Sequence, residues 1–205
     1  MDNKVKIAVM VSGGGTNLQA LINAQKQGKI PNGKISLVVS NVLDAYALTR
    51  AKNADIPTAV VRKKDCGSQQ AFESKVKQIL SENGIELIVL AGFMSILSED
   101  FVKDYENRII NVHPSLIPSF CGVGYYGLKV HEEALKKGVK VTGATVHFVN
   151  EIPDGGKIIM QKAVNVNKGD TPEKLQKRVM ERAEWKILPA STQKVCKAIL
   201  KGEIK

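Results

Sequence analysis

An amide and an imidazole two residues apart, Asn111 and His113, stand where the apolar run Arg108-Ile109-Ile110 gives way to the loop Pro114-Ser115-Leu116-Ile117-Pro118. A short β-branched run reads as a buried strand. Side chains alternate along a strand, so Asn111 and His113 project to the same side. In open α/β sheets ligands bind just beyond the carboxyl ends of the strands. An amide N–H and a protonated imidazole both donate hydrogen bonds to an oxygen that turns negative when a nucleophile adds to a carbonyl. The pair therefore suits acyl transfer. A strand-end histidine before proline is also an ordinary hydrogen-bonded turn residue, so the pair alone does not decide.

A second group suits anion binding. Ser12-Gly13-Gly14-Gly15-Thr16-Asn17 follows the nearly continuous apolar run Lys4 to Val11 and precedes Leu18, Leu21 and Ile22, which recur at helical spacing. Glycines let an anion approach the backbone, while first-turn N–H groups and the helix dipole favour negative charge. The Gly-Lys-Ser/Thr ending of a Walker A loop is absent, and Leu18 stands where a dinucleotide fingerprint wants glycine, so neither ATP nor NAD is implied. A monophosphate suits the loop. The competing reading is a tight turn capped by Thr16 or Asn17.

Other stretches lie near the same ground. Gly92-Phe93-Met94-Ser95-Ile96-Leu97 is an apolar loop at another strand end, suited to gripping a flat ring or to packing in the core. Ser119 to Gly127 carries three glycines and reads as a mobile surface loop able to serve as a lid. Asp154 occupies the turn Glu151-Ile152-Pro153-Asp154-Gly155-Gly156, and His147 falls within a strand, where it also reads as a buried polar residue. Glu181 and Glu184, three apart, share a helical face and could hold a cationic amine, although such glutamates on a Lys-rich helix are usually only solvated.

These groups require a frame of alternating strands and helices. Strands are expected at Lys34 to Ser40, Thr58 to Arg62, Glu86 to Ala91, Lys140 to Asn150 and Lys157 to Val166. Helices are expected at Leu43 to Asn53, around Phe72, Val76, Ile79 and Leu80 up to Asn83-Gly84, from Ser98 through Lys103, and from Leu128 to Lys137. A last helix opens at Thr171-Pro172-Glu173, and Pro189 should kink or interrupt it. Right-handed crossovers make the early strands parallel, and the turn before Lys157 makes the last pair antiparallel. The fold class is α/β: a Rossmann-like open, mostly parallel twisted sheet flanked by helices, with antiparallel C-terminal strands.

The chain has 205 residues, enough for a single domain with a substantial core. We expect one unit over 1–205, with a phosphate-binding half at about 1–105 and a catalytic half at about 106–205. Cys66, Cys121 and Cys196 are odd in number and form no CxxC pair, which argues against a disulfide framework or a zinc site. Met1-Asp2-Asn3-Lys4 leads straight into the first strand without an apolar cleavable leader, and no apolar run approaches spanning length. A cytoplasmic, non-membrane protein is expected. The formal net charge of +10 would suit nucleic acid, but aromatic residues make up only 5% of the chain. Small anionic substrates or solubility explain the charge as well, so no nucleic-acid partner is expected.

Ser12 to Asn17, Ala91-Gly92-Phe93-Met94, Asn111-Val112-His113-Pro114-Ser115-Leu116-Ile117-Pro118 and Asp154-Gly155-Gly156, in this order and over nearly the whole chain, resemble the phosphoribosylglycinamide formyltransferase family. The resemblance implies transfer of a formyl group from 10-formyltetrahydrofolate to the amino group of phosphoribosylglycinamide in purine biosynthesis, without a metal. It implies Asn111, His113 and Asp154 as catalytic residues, with Asp154 favouring an imidazolium at His113, whose ordinary pKa is ~6.5. It implies ribonucleotide binding at Gly13, Gly14, Gly15, Thr16, Asn17, Glu181 and Glu184. Folate binding is implied at Met94, Ser95, Ile96, Leu97, Asn111, Asn150, Glu151, Ile152, Pro153 and Asp154. Relatives often carry a basic residue where Gln69 and Ser95 stand and a histidine where Trp185 stands, and the Gly122 to Gly127 loop is longer than in many of them.

Three rival readings remain open at this point: a methionyl-tRNA formyltransferase, which normally adds a C-terminal domain; a formyltetrahydrofolate hydrolase, which usually adds an N-terminal one; and a non-catalytic basic nucleotide-binding module. A monomer and a homodimer are both compatible with the sequence.

Overall fold

The first apolar run forms β1 (Val5–Val11). The computed structural model, which describes residues 4–204, buries its Val5, Ile7, Val9 and Val11 in one hydrophobic cluster and its Ala8 and Met10 in another. A strand covered on both faces needs apolar residues at successive positions rather than alternate ones. The expected direct entry from Met1-Asp2-Asn3 lies outside the described residues.

β1 is flanked by β2 (Gly33–Ser40) and β4 (Leu87–Leu90). With β3 (Thr58–Val60), β5 (Ile109–His113), β6 (Val141–Phe148) and β7 (Ile158–Asn165) they form a seven-stranded sheet in the order β3-β2-β1-β4-β5-β6-β7. Pairing is parallel through β5 and antiparallel at β5–β6 and β6–β7. This is the expected fold class.

Eight α-helices accompany the sheet among the described residues: α1 (Thr16–Lys26), α2 (Tyr46–Lys52), α3 (Lys63–Cys66), α4 (Gln69–Glu82), α5 (Glu99–Asp104), α6 (Leu128–Lys137), α7 (Pro172–Val179) and α8 (Trp185–Leu200). Leu18, Leu21 and Ile22 of α1 join Leu175, Val179, Ile187, Leu188 and Val195 of the C-terminal helices on one side. Phe72, Val76 and Leu80 of α4 and Phe101 and Val102 of α5 fill the other. Burying an aliphatic or aromatic side chain contributes about 1.5–3 kcal/mol, so these two layers fix where the strand ends, and hence the site, must lie.

Several boundaries differ from expectation for local reasons. The helix expected from Leu43 begins at Tyr46, because the Ser40 hydroxyl takes both backbone groups of Val42 and holds a turn there. The strand expected to reach Arg62 stops at Val60, and Arg62 opens the short α3 with an ion pair to Asp65 at 2.5 Å. Pro189 does not interrupt its helix: α8 runs through it, and the irregularity is a π-helical turn at Met180–Glu184. That wider turn also undoes the expected shared face of Glu181 and Glu184, burying Glu184 and leaving Glu181 exposed.

Candidate active site

Ile109, Ile110 and Val112 anchor β5 in the core, and the strand end carries Asn111 and His113, the latter only 4% exposed. Antiparallel pairing sets His147 of β6 directly opposite Asn111. His147 Nδ1 lies 2.7 Å from the Phe148 carbonyl, an acceptor, so the neutral ring carries its proton on that nitrogen. Its Nε2 then accepts from the Asn111 amide Nδ2 at 3.3 Å. One N–H of Asn111 is thereby held, and the second remains for another acceptor.

Asp154 completes the cluster. Its Oδ2 lies 3.4 Å from His113 Nδ1 and accepts from the Gly122 N–H at 2.9 Å, while Oδ1 is 3.5 Å from His147 Nε2. The turn after it requires glycine: a Cβ on Gly156 would strike the Phe148 carbonyl oxygen, and one on Gly155 would lie 2.7 Å from the Ile152 side chain. Burial opposes ionisation of Asp154, yet a hydrogen bond from His147, made when that ring is protonated on Nε2 as well, together with His113 and the Gly122 N–H holds its carboxyl below the usual range. For His113, burial pulls the pKa down and outweighs the raising influence of Asp154 and the Phe120 carbonyl. The expectation that the carboxylate keeps His113 mostly charged is therefore corrected. The other ring nitrogen, Nε2, is 2.9 Å from the Phe120 carbonyl, so the neutral ring donates to the glycine-containing loop. The imidazolium would satisfy both acceptors.

The glycine loop lies at the end of β1. Its carbonyls are held from behind, Gly13 by the Ala47 N–H at 3.0 Å and Gly14 by Arg50 Nε at 2.8 Å. Gly15 takes a left-handed conformation, φ 71°, at the start of α1, where no side chain caps the helix. Thr16 and Asn17 thus lie inside the helix, not at its cap, and the Thr16 hydroxyl turns to Met180 Sδ. Exposed Gly13 and Gly14 face open space. First-turn N–H groups without an intrahelical partner make such an end a place for an anion. Asn17 Nδ2 donates to Glu184 Oε2 at 2.6 Å, and burial pushes the Glu184 carboxyl up to about 7 despite that bond.

Met94, Ser95, Ile96 and Leu97 line a cavity of about 520 Å³ with Lys63, Gln69 and Ser98. Gln69 donates to the Ile96 carbonyl at 3.1 Å and to Glu73, whose carboxylate also binds the Ser98 backbone and hydroxyl. A neutral amide at 69 therefore shapes this loop from beneath. Asn150, Glu151, Ile152 and Pro153 sit on the separate turn that delivers Asp154, where Asn150 Oδ1 accepts from the Ile152 N–H. They do not line the same cavity.

A protein-family model described as formyl transferase matches residues 5–192. The chain belongs to the formyl transferase family. It is 42% identical over 184 residues to the phosphoribosylglycinamide formyltransferase of Haemophilus influenzae, covering 90% of this chain and 84% of that protein. It is 50% identical over 202 residues to the trifunctional purine biosynthetic protein adenosine-3 of Gallus gallus, covering 98% of this chain but 19% of that protein. The chain thus spans about a fifth of that much longer relative. A solved glycinamide ribonucleotide transformylase 1 from Symbiobacterium toebii superposes with a TM-score of 0.89 at 37% identity, over 97% of this chain and 90% of the other.

Within this formyl transferase the structure brings Asn111, His113 and Asp154 together, and joins Asn17 to Glu184. It leaves Glu181 outside, facing Lys177 at 3.9 Å. Sequence reasoning did not give His147 a role, because its place opposite Asn111 depends on an antiparallel register that no local pattern encodes. His131 of α6 was missed entirely. It is fully buried, neither ring nitrogen has a partner among the described residues, and burial lowers its pKa to about 4, with further lowering by nearby His113. Among the described residues no group of three or more His, Cys, Asp or Glu side chains could hold a metal ion, and no helix is long and apolar enough to cross a membrane.

Proposed function

We propose that this chain transfers the formyl group of 10-formyltetrahydrofolate to the amino group of 5'-phosphoribosylglycinamide, giving formylglycinamide ribonucleotide and tetrahydrofolate in purine biosynthesis. The observation that carries the reading is the cluster Asn111, His113, His147 and Asp154 at the same edge of the sheet as an uncapped glycine loop. The similarity to the phosphoribosylglycinamide formyltransferase of Haemophilus influenzae and to the glycinamide ribonucleotide transformylase 1 of Symbiobacterium toebii supports it.

The ribonucleotide phosphate is read onto Gly13, Gly14, Gly15, Thr16 and Asn17, with Glu184 behind Asn17. The folate is read onto Met94 to Leu97, with Asn150 to Asp154 on its other side. The substrate amine attacks the formyl carbon, and the carbonyl oxygen becomes negative. The free N–H of Asn111 and a protonated His113 donate to that oxygen. His147 positions the amide, and Asp154 stabilises the imidazolium. The amine gives up one proton and folate N10 gains one, so His113 and water have a single proton to move. Because His113 Nε2 faces Phe120 and Nδ1 faces Asp154, the Phe120 carbonyl must yield its place before Nε2 can reach a substrate. The three free cysteines fit a reducing cytoplasm as the setting.

The test is the absorbance change on deformylation of 10-formyltetrahydrofolate, with and without the ribonucleotide. Signal only with the ribonucleotide is expected, falling about 10²–10⁴-fold in His113→Ala. Signal without it would indicate hydrolysis, formylation of charged initiator tRNA would indicate the other transferase, and absence of folate binding would overturn the reading.

A further inference from the structure

Three side chains join the glycine loop to the 92–97 loop. Ser12, the last residue before the glycines, donates through its hydroxyl to Asn41 Oδ1 at 2.7 Å, and the same hydroxyl accepts from the Met94 N–H at 2.8 Å. Asn41 Nδ2 donates to the Ser95 hydroxyl at 2.8 Å. The Ser12 N–H donates to the Gly92 carbonyl at 3.1 Å. Asn41 itself belongs to neither loop. It stands just past β2, where the Ser40 turn fixes the backbone around Val42. An amide is the side chain that can accept on one atom and donate on the other, and here each atom serves a different substrate loop.

We infer that Asn41 is a positioning residue that couples the two substrate sites, so that occupancy of the glycine loop by the phosphate tightens folate binding at 94–97, and the reverse. The inference rests on the substrate assignment above. An anion drawing in the Gly13–Gly15 backbone fixes Ser12, Ser12 and Asn41 fix Met94 and Ser95, and the second ligand meets a loop whose ordering cost has already been met. Linkage makes the effect reciprocal: each substrate must change the other's affinity by the same factor.

The experiment is calorimetric titration of tetrahydrofolate into the protein with and without saturating phosphoribosylglycinamide, and the reciprocal titration. In the unaltered protein an affinity ratio of roughly fivefold or more is expected. In Asn41→Leu, which keeps the branched heavy-atom outline and removes both hydrogen bonds, the ratio should fall to about one while each separate affinity stays within about threefold. Ser95→Ala, which removes only the acceptor of Nδ2, should lower the ratio partway. Asn41→Asp should restore it, because both serine hydroxyls can rotate to donate to a carboxylate, and a ratio is insensitive to the uniform weakening that an added negative charge causes. A merely structural role would lower both affinities and leave the ratio intact. A ratio of one in the unaltered protein, or a ratio that survives Asn41→Leu and Ser95→Ala, overturns the coupling while leaving the transferase reading in place. Failure of either ligand to bind the unaltered protein overturns both.

Discussion

Asp154 is the residue on which the site's electrostatics turn. Its carboxylate, 3.4 Å from Nδ1, raises the His113 pKa more than the Phe120 carbonyl at the other ring nitrogen does, and it acts against burial and His147. Replacing it by asparagine removes that raising influence, so the His113 pKa must fall further below its ordinary value. Imidazole titration by NMR should show the His113 midpoint moving to lower pH in Asp154→Asn, with turnover reduced by about 10²-fold or more and substrate binding within a few-fold. An unmoved midpoint together with full turnover would remove Asp154 from the mechanism. That Asn111 and His113 share one side of a strand end was legible from strand alternation, while the place of Asp154 beside them was implied only by the family's motifs. The contact of His147 with the Asn111 amide was not legible: it exists only once β6 is laid antiparallel on β5.

At the scale of elements, the glycine loop divides into parts that serve the fold and parts that face outward. A Cβ on Gly15 would meet Ala47 Cβ at 2.6 Å in a left-handed conformation, whereas one on Gly13 meets nothing within 4 Å. Gly15→Ala should therefore cost about 2 kcal/mol or more, since the left-handed region alone costs a residue with a Cβ about 1–2 kcal/mol, lowering Tm by about 4 °C or more. Gly13→Ala should melt like the unaltered protein yet bind the ribonucleotide roughly tenfold more weakly, a difference of about 1.4 kcal/mol. Equal binding in Gly13→Ala would favour the tight-turn reading over the anion cradle. The strands and most helices were legible because their apolar periods are strong: α6 matches its expected span from Leu128 to Lys137. The opening of the C-terminal helix at Thr171-Pro172 was legible too, but its π-helical turn was not, because such a turn leaves no signature in a 3.6-residue period. The shared face assigned to Glu181 and Glu184 failed for that reason, although Glu184 does reach the glycine loop through Asn17.

For the molecule as a whole, two buried groups make stability depend on pH in opposite senses. His131 titrates at about 4 in the fold against 6.5 when free, so the unfolded chain binds the extra proton between those values and stability rises with pH across them. Glu184 titrates at about 7 in the fold against 4.5 when free, so the folded state binds the extra proton, and stability is full below 4.5 and lost as pH rises through 7. Each difference is worth about 3 kcal/mol. Between about pH 4.5 and 6.5 the slopes of these two groups oppose each other, so together they add little net pH dependence there. Glu184→Gln, which can still accept from Asn17, removes the descending limb: Tm at pH 7.5 should rise by several degrees and then drop steeply on acidification to pH 5. His131→Phe removes the ascending limb, so its Tm should be higher at pH 5 than at pH 7.5. Calorimetric melts of the three proteins at the two pH values check both signs at once, and parallel profiles would mean that neither group titrates as its burial requires.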